Sequence, residues 1–293
     1  MESKNENESG LEIEKPVLKS TLIKKLSGRF KTEYEKYPRF QRSTEDDYQE
    51  EYIILLYNEE PKNTLTLDFL SATIITENLR FIVVDRLFKI QQRFRIPDNE
   101  YYMAIKIMDA ALQICSEKRE CELLAITSLW MVHKFNSSST IPINHIVPLL
   151  DGEYSEKAFL DMERKVFSFV NFNLRKQEPS TFIEYYLVTA NLIDKEHIYH
   201  GSFFVCDCLT KFPMFSYMES SFLAELAIFT TLTVFKEDYT RLLSIMRNSS
   251  HTVKMSQADC LQKIRSIYRR RYHREPFLKH SSMSRLRISK YFV

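Results

Sequence analysis

The 293 residues include 41 Lys and Arg against 39 Asp and Glu, a formal charge of +2 that excludes polyanion binding by net charge alone. Hydrophobic residues at 44% and charged residues at 27% give a globular balance and exclude a wholly disordered chain. The four glycines, Gly10, Gly28, Gly152 and Gly201, cannot assemble G-x-G-x-x-G, G-x-x-x-x-G-K or G-x-S-x-G, so dinucleotide, P-loop and nucleophile-elbow sites are excluded.

Residues 1–44 are polar and charge-mixed and read as a flexible tail. They contain no apolar leader, and no later run is long enough to span a bilayer, so the chain is expected inside the cell, in nucleus or cytoplasm, without membrane contact. The five cysteines, Cys115, Cys121, Cys206, Cys208 and Cys260, sit in apolar helical stretches and read as reduced core thiols. From Asp46, the spacing of Tyr48, Tyr52, Ile53, Leu55 and Leu56 predicts a short helix ended by Pro61. Thr76-Glu77 opens an amphipathic helix halted by Pro97, and Asp98 is expected to cap the next, from Tyr101 to Ile114.

Cys121 to Phe135 has almost no polar side: Leu123, Leu124, Ala125, Ile126, Leu129, Trp130, Met131 and Val132 go most of the way round. Such a helix belongs in the middle of other helices. A turn of helix in IPINHIVPLL and a helix from Glu156 to about Val170 follow. Pro179-Ser180-Thr181 then restarts the count. Phe182–Asn191 reads as a first helix, His197–His200 as a junction, Phe203–Leu209 as a second helix and Ser221–Lys236 as a third, again nearly all apolar. Setting Leu124-Ala125-Ile126 on Leu226-Ala227-Ile228 also puts Lys134 on Lys236, a weak internal repeat. The expected architecture is all-α, with a tail over 1–44, one five-helix unit over 45–177 and another over 178–293 with a basic tail. His197, His200, Cys206 and Cys208 lack a metal-binding spacing, and ordinary packing is expected for all four.

At this point the chain resembles the cyclins, most closely the A- and B-type cell-cycle group. ITENLRFIVVDRLFKI is similar to I-T-x-x-M-R-x-x-L-V-D-W-L, and LAITSLWMVHKF to L-x-x-x-x-x-L-I-A-x-K-[YF]. FLDMERKVFSFVNFNL, followed by PSTFIEYYL, is similar to M-E-x-x-I-L-x-x-L-x-[FW]-x-L and the P-T-x-x-x-F-L that opens the second box. The resemblance covers residues 46–293 and is more specific in the first half. It implies two cyclin boxes and no catalysis, metal or cofactor. Its partner is a cyclin-dependent protein kinase, whose regulatory helix the cyclin positions.

By the same resemblance, Lys134 and Glu163 anchor the kinase, and Phe135, Phe167, Phe172 and Leu174 match its apolar kinase-facing positions. Without the family, Lys134 is a cation suited to a helix C-terminus and Glu163 a surface acid. Arg80 and Asp85 match family residues and are expected to tie the first box together.

One face of the family's first helix also forms a groove for Arg-x-Leu substrate or inhibitor peptides. The matching residues are Leu79, Ile82, Val83, Arg86 and Lys89, with Glu122 on the adjoining helix. Arg86 replaces Trp and Lys89 replaces an acid, so these cations are expected to repel a peptide Arg, leaving the groove either turned to acidic-hydrophobic motifs or unused. Neither Lys-Glu-Asn nor Arg-x-x-Leu precedes the first box, which puts regulated destruction in doubt. The basic C-terminal tail reads as a solvated face, with a nuclear address or polyanion contact as its alternatives. Two other functional classes stand beside a mitotic (G2/M) role: a transcription-type cyclin, and a general-transcription-factor-like module that clamps nucleic acid, against which the near-neutral charge argues.

Overall fold

The computed structural model describes residues 49–138, 140–150, 153–245, 254–270 and 273–293. The tail expected over 1–44 lies outside the described residues. Among those described there is no strand, and no helix is long and apolar enough to cross a membrane.

Helix α1 spans Gln49–Asn63 and keeps Pro61 in its last turn instead of stopping there. Helix α2, Glu77–Phe94, starts as expected: Thr76 Oγ1 accepts the Leu79 N–H at 3.2 Å. Helix α3, Asp98–Ala111, starts one residue earlier than a cap at Asp98 requires. Pro97 is its N-cap, and the Asp98 carboxylate instead accepts from Gln91 and Lys279. Helix α4, Glu120–Asn136, is the expected central element. Cys121 and every residue from Leu123 to Val132 are buried, because α2, α3 and α5 pack round it. Helix α5, Glu156–Phe169, is capped by Ser155, whose hydroxyl accepts from the Ala158 N–H. A short helix at Ile143–Ile146 precedes it.

The second half repeats the order. Helices α6 (Pro179–Thr189), α7 (Glu196–Leu209) and α8 (Ser220–Phe235), a short helix at Thr240–Ile245 and α9 (Gln257–Arg269) follow one another, with α8 packed by α6, α7 and α9. The junction expected at His197–His200 is the first turn of α7. What disguised it is Gly201, a poor helix former required here by packing. A Cβ at Gly201 would stand 2.4 Å from Thr231 Cγ2 on α8, so only glycine lets the two helices approach this closely. Lys236, aligned in sequence with Lys134, ends α8 in the left-handed conformation (φ 55°), whereas Lys134 stays inside the last turn of α4. The repeat therefore holds for the cores and fails at the helix ends.

The halves are joined by buried polar groups. Asp207 on α7 accepts from Tyr102 on α3 at 2.8 Å, and from Lys279 and His280, each at 2.8 Å, in the C-terminal segment. All five cysteines are free and buried. Burial raises their thiols, that of Cys115 to about 12.

Burial also pushes the fully buried His280 down to about 4, although Asp207 pulls it upward. Its Nδ1 has no hydrogen-bond partner, so protonation there would place an unpaired donor in the core. Asp207 would be raised by its own burial, but Lys279 and His280 outweigh that and hold it below the usual carboxylate range. The unfolded chain takes up the imidazole proton near the ordinary 6.5 and the folded chain only near 4. The His280 contribution to stability is therefore complete above that ordinary value and lost as pH falls through the window. The Asp207 contribution goes only at lower pH still. Urea midpoints should fall from pH 6.5 to 4, and His280→Gln should flatten that slope; an unchanged slope would contradict the assignment.

Candidate functional site

The C-terminal end of α4 and the outer face of α5 bring most of the expected kinase-facing residues together. Lys134 and Glu163 form an ion pair with each other, with side chains 40% and 15% exposed. The Lys134 ammonium also lies 4.2 Å from the centroid of the Trp130 ring, one turn back on the same helix. Trp130 is itself fixed: its indole N–H donates to the Ile141 carbonyl at 2.9 Å, and its ring meets Phe159 edge-on at 5.3 Å. The lysine is thus held by a ring and a carboxylate, which reduces the rotamer freedom left to lose on binding.

Beside the pair, Phe135 is 52% exposed and Phe172 is 74% exposed. Helix α5 ends by turning through two left-handed residues, Asn171 (φ 50°) and Phe172 (φ 59°). The Phe172 N–H then donates back to the Phe167 carbonyl at 2.9 Å, and the two rings meet at 5.3 Å. Left-handed backbone is uncommon for a bulky residue. Here it keeps an apolar ring in solvent, a conformation costing on the order of 1–3 kcal/mol. Phe167 is half-buried under that ring. Leu174 differs from expectation: it is 3% exposed and part of the core, so it supports the surface from behind and cannot face a partner. One contributor, Trp130, is not among the residues that the resemblance gives. For Trp130 a signal existed, since the chain's single Trp stands four residues before Lys134, on the same helix face.

The first-helix groove is altered in two respects. Leu79 is half-buried and Ile82 is 41% exposed, but Val83 is buried in the core and forms no open floor. The two cations expected to repel a peptide Arg are each neutralised. Arg86 Nε pairs with Glu122 Oε1 at 2.5 Å, while Lys89 lies 3.3 Å from Asp85 and 3.5 Å from Glu275. The groove therefore presents neither a bare cation to an acidic peptide nor an uncommitted carboxylate to a basic one.

Arg80 braces the first half as expected, through Asp109, and both Arg80 and Asp85 in addition tie the two halves to each other. Arg80 makes a two-pronged pair with Asp109 at 2.8 and 2.6 Å and donates to the Thr210 carbonyl at 3.1 Å. Asp85 accepts from the fully buried Lys211 at 2.6 Å and faces His273 at 3.1 Å. Burial alone would raise Asp85, yet Lys211 and its other partners hold it below the ordinary carboxylate range.

Residues 51–175 match the family model described as cyclin, N-terminal domain. Cyclin-B2-3 of Arabidopsis thaliana is 28% identical over 168 residues, which cover 56% of this chain and 38% of that protein. The G2/mitotic-specific cyclin-B2 of Rana japonica is 27% identical over 138 residues, covering 45% and 35% respectively. The chain thus spans well under half the length of these relatives. A viral cyclin from herpesvirus saimiri has the same fold, with a TM-score of 0.57 at 11% identity over 76% of this chain and 96% of that one. Residues 51–175 thus match a cyclin N-terminal domain, the chain has the fold of the viral cyclin, and cyclins of the B and A types are among its relatives.

Proposed function

We propose that this chain is a regulatory subunit that binds and activates a cyclin-dependent serine/threonine kinase in control of cell division, at G2/M, acting in nucleus or cytoplasm. The observation that carries this reading is the Lys134–Glu163 pair, seated on Trp130 and bordered by exposed Phe135 and Phe172. Lys134 donates up to three hydrogen bonds and Glu163 accepts, so together they can satisfy backbone carbonyls and N–H groups of an irregular partner segment. The flanking aromatic rings supply the apolar anchors that dominate interface energies. The chain contributes no catalytic group of its own, and phosphoryl transfer stays with the kinase. B-type relatives, one with a G2/mitotic-specific name, support the assignment of stage. Affinity purification of the tagged chain from dividing cells should recover one such kinase in stoichiometric amount. Recovery of none would refute the reading.

The groove carries a separate expectation. With Arg86 and Lys89 already paired, a labelled Arg-x-Leu peptide should bind no tighter than its Glu-x-Leu variant. Tight binding of the Arg peptide that weakens in Ile82→Ala would show ordinary docking instead.

A further inference from the structure

Charge is unevenly spread along the chain. Residues 254–293 hold eleven Lys and Arg against two Asp and Glu, a local +9 in a chain whose total is only +2. Part of this excess is absorbed internally, since Lys279 and Arg285 face Asp98 and Asp207. Lys263, Arg265, Arg269, Arg270 and Arg274 are different. Among the described residues, none of them has a carboxylate within salt-bridge distance.

Two of these cations are held in place by rings. The Arg270 guanidinium lies 3.9 Å from the Phe81 centroid, and the Lys263 ammonium 4.5 Å from that of Phe212. Phe81 and Phe212 are themselves in contact, 6.1 Å apart, so two cations without a carboxylate partner among the described residues lie over the two rings of one aromatic pair. Arg274 lies over Tyr268 at 5.9 Å, and Arg269 is exposed at the end of α9. An ordinary solvated face scatters its charges among opposite ones. Here, among the described residues, like charges without carboxylate partners are gathered along α9 and just beyond its end, where Arg270 lies against Phe81 of α2.

We propose that Lys263 and Arg270, flanked by Arg269 and Arg274, form a docking site for a phosphorylated peptide segment. A phosphoryl group brings about −1.5 to −2 charge and three acceptor oxygens, enough for an ammonium and a guanidinium at once, which one carboxylate does not supply. A polynucleotide fits less well for two reasons. The rings under the cations are 2% and 7% exposed, so neither offers a face for base stacking. The rest of the chain is net acidic and opposes an extended polyanion that overruns the patch.

The site is independent of kinase activation, so it can be tested on the isolated full chain. The probe is a short fluorescein-labelled peptide carrying two phosphoserines, compared by anisotropy with its unphosphorylated form and with a single-stranded DNA oligonucleotide. The phosphopeptide should bind about tenfold or more tighter than the unphosphorylated peptide and should weaken as salt rises. Lys263→Gln with Arg270→Gln should remove that preference, whereas Arg285→Gln with Arg287→Gln should keep it. Because Arg270 packs on Phe81, the exposed pair Arg269→Gln with Arg274→Gln serves as a second variant, expected to lower affinity several-fold without changing the melting temperature. Equal binding of the two peptides, full binding by either Lys263→Gln with Arg270→Gln or Arg269→Gln with Arg274→Gln, or tighter binding of the oligonucleotide would each overturn the proposal.

Discussion

Lys134→Ala combined with Glu163→Ala is expected to abolish kinase activation while leaving the fold intact. Each residue contributes to stability mainly through the other, and the pair is partly exposed. Such pairs are worth about 0–1 kcal/mol, so removing both at once should change stability by no more than that. The interface cost is far larger. Two anchors at the centre of an interface should together cost about 3 kcal/mol or more, about a hundred-fold in affinity. Phe172→Ala should weaken binding on its own and cost the fold no more than the edge-on contact with Phe167, about 1 kcal/mol, because the ring is otherwise in solvent and its backbone strain is unaffected by truncation. Urea midpoints and activation measured on the same preparations separate the two effects. Normal activation by the double variant would remove Lys134 and Glu163 from the interface, and unfolding would make them structural.

Arg80→Met is expected to be the most destabilising substitution at any residue matched to the family. The Arg80 side chain is wholly inaccessible, and its two-pronged pair with Asp109 is equally buried. Removing one partner strands the Asp109 charge in the core, which costs about 3–5 kcal/mol. Ser216 also donates to Asp109, at 2.5 Å, and cannot replace a guanidinium. Loss of the Arg80 bond to Thr210 should loosen the contact between halves as well. Adding Asp109→Asn removes the stranded charge, so the double variant should recover part of the loss. A urea midpoint for Arg80→Met equal to that of the unmodified chain would contradict this account.

Much of the architecture was legible because local chemistry and global burial agree. The apolar circumference of Leu123 to Val132 placed α4 in the centre, and Thr76 and Ser155 marked helix starts where their side chains do cap. The α7 start was misread because Gly201 looks like a break until the nearness of Thr231 is known. The misplaced site residues have a common cause. Val83 and Leu174 are apolar in an apolar neighbourhood, and periodicity alone cannot tell a core position from an interface position. Arg80 and Asp85 were recognised as structural, but their partners Thr210 and Lys211 lie more than a hundred residues away in sequence. No local pattern encodes a pairing across that distance. Glu122 on the adjoining helix is placed to offset one cation of the groove, and it does pair with Arg86; the contact of Lys89 with Glu275, far along the chain, is what no local pattern shows.

The most direct test of the central claim is activation of a purified monomeric cyclin-dependent kinase, identified by affinity purification, with histone as substrate. The chain alone should phosphorylate nothing, and titrating it into the kinase should raise activity by orders of magnitude, saturating at one chain per kinase. No rise at saturating concentration of a correctly folded chain would contradict the account.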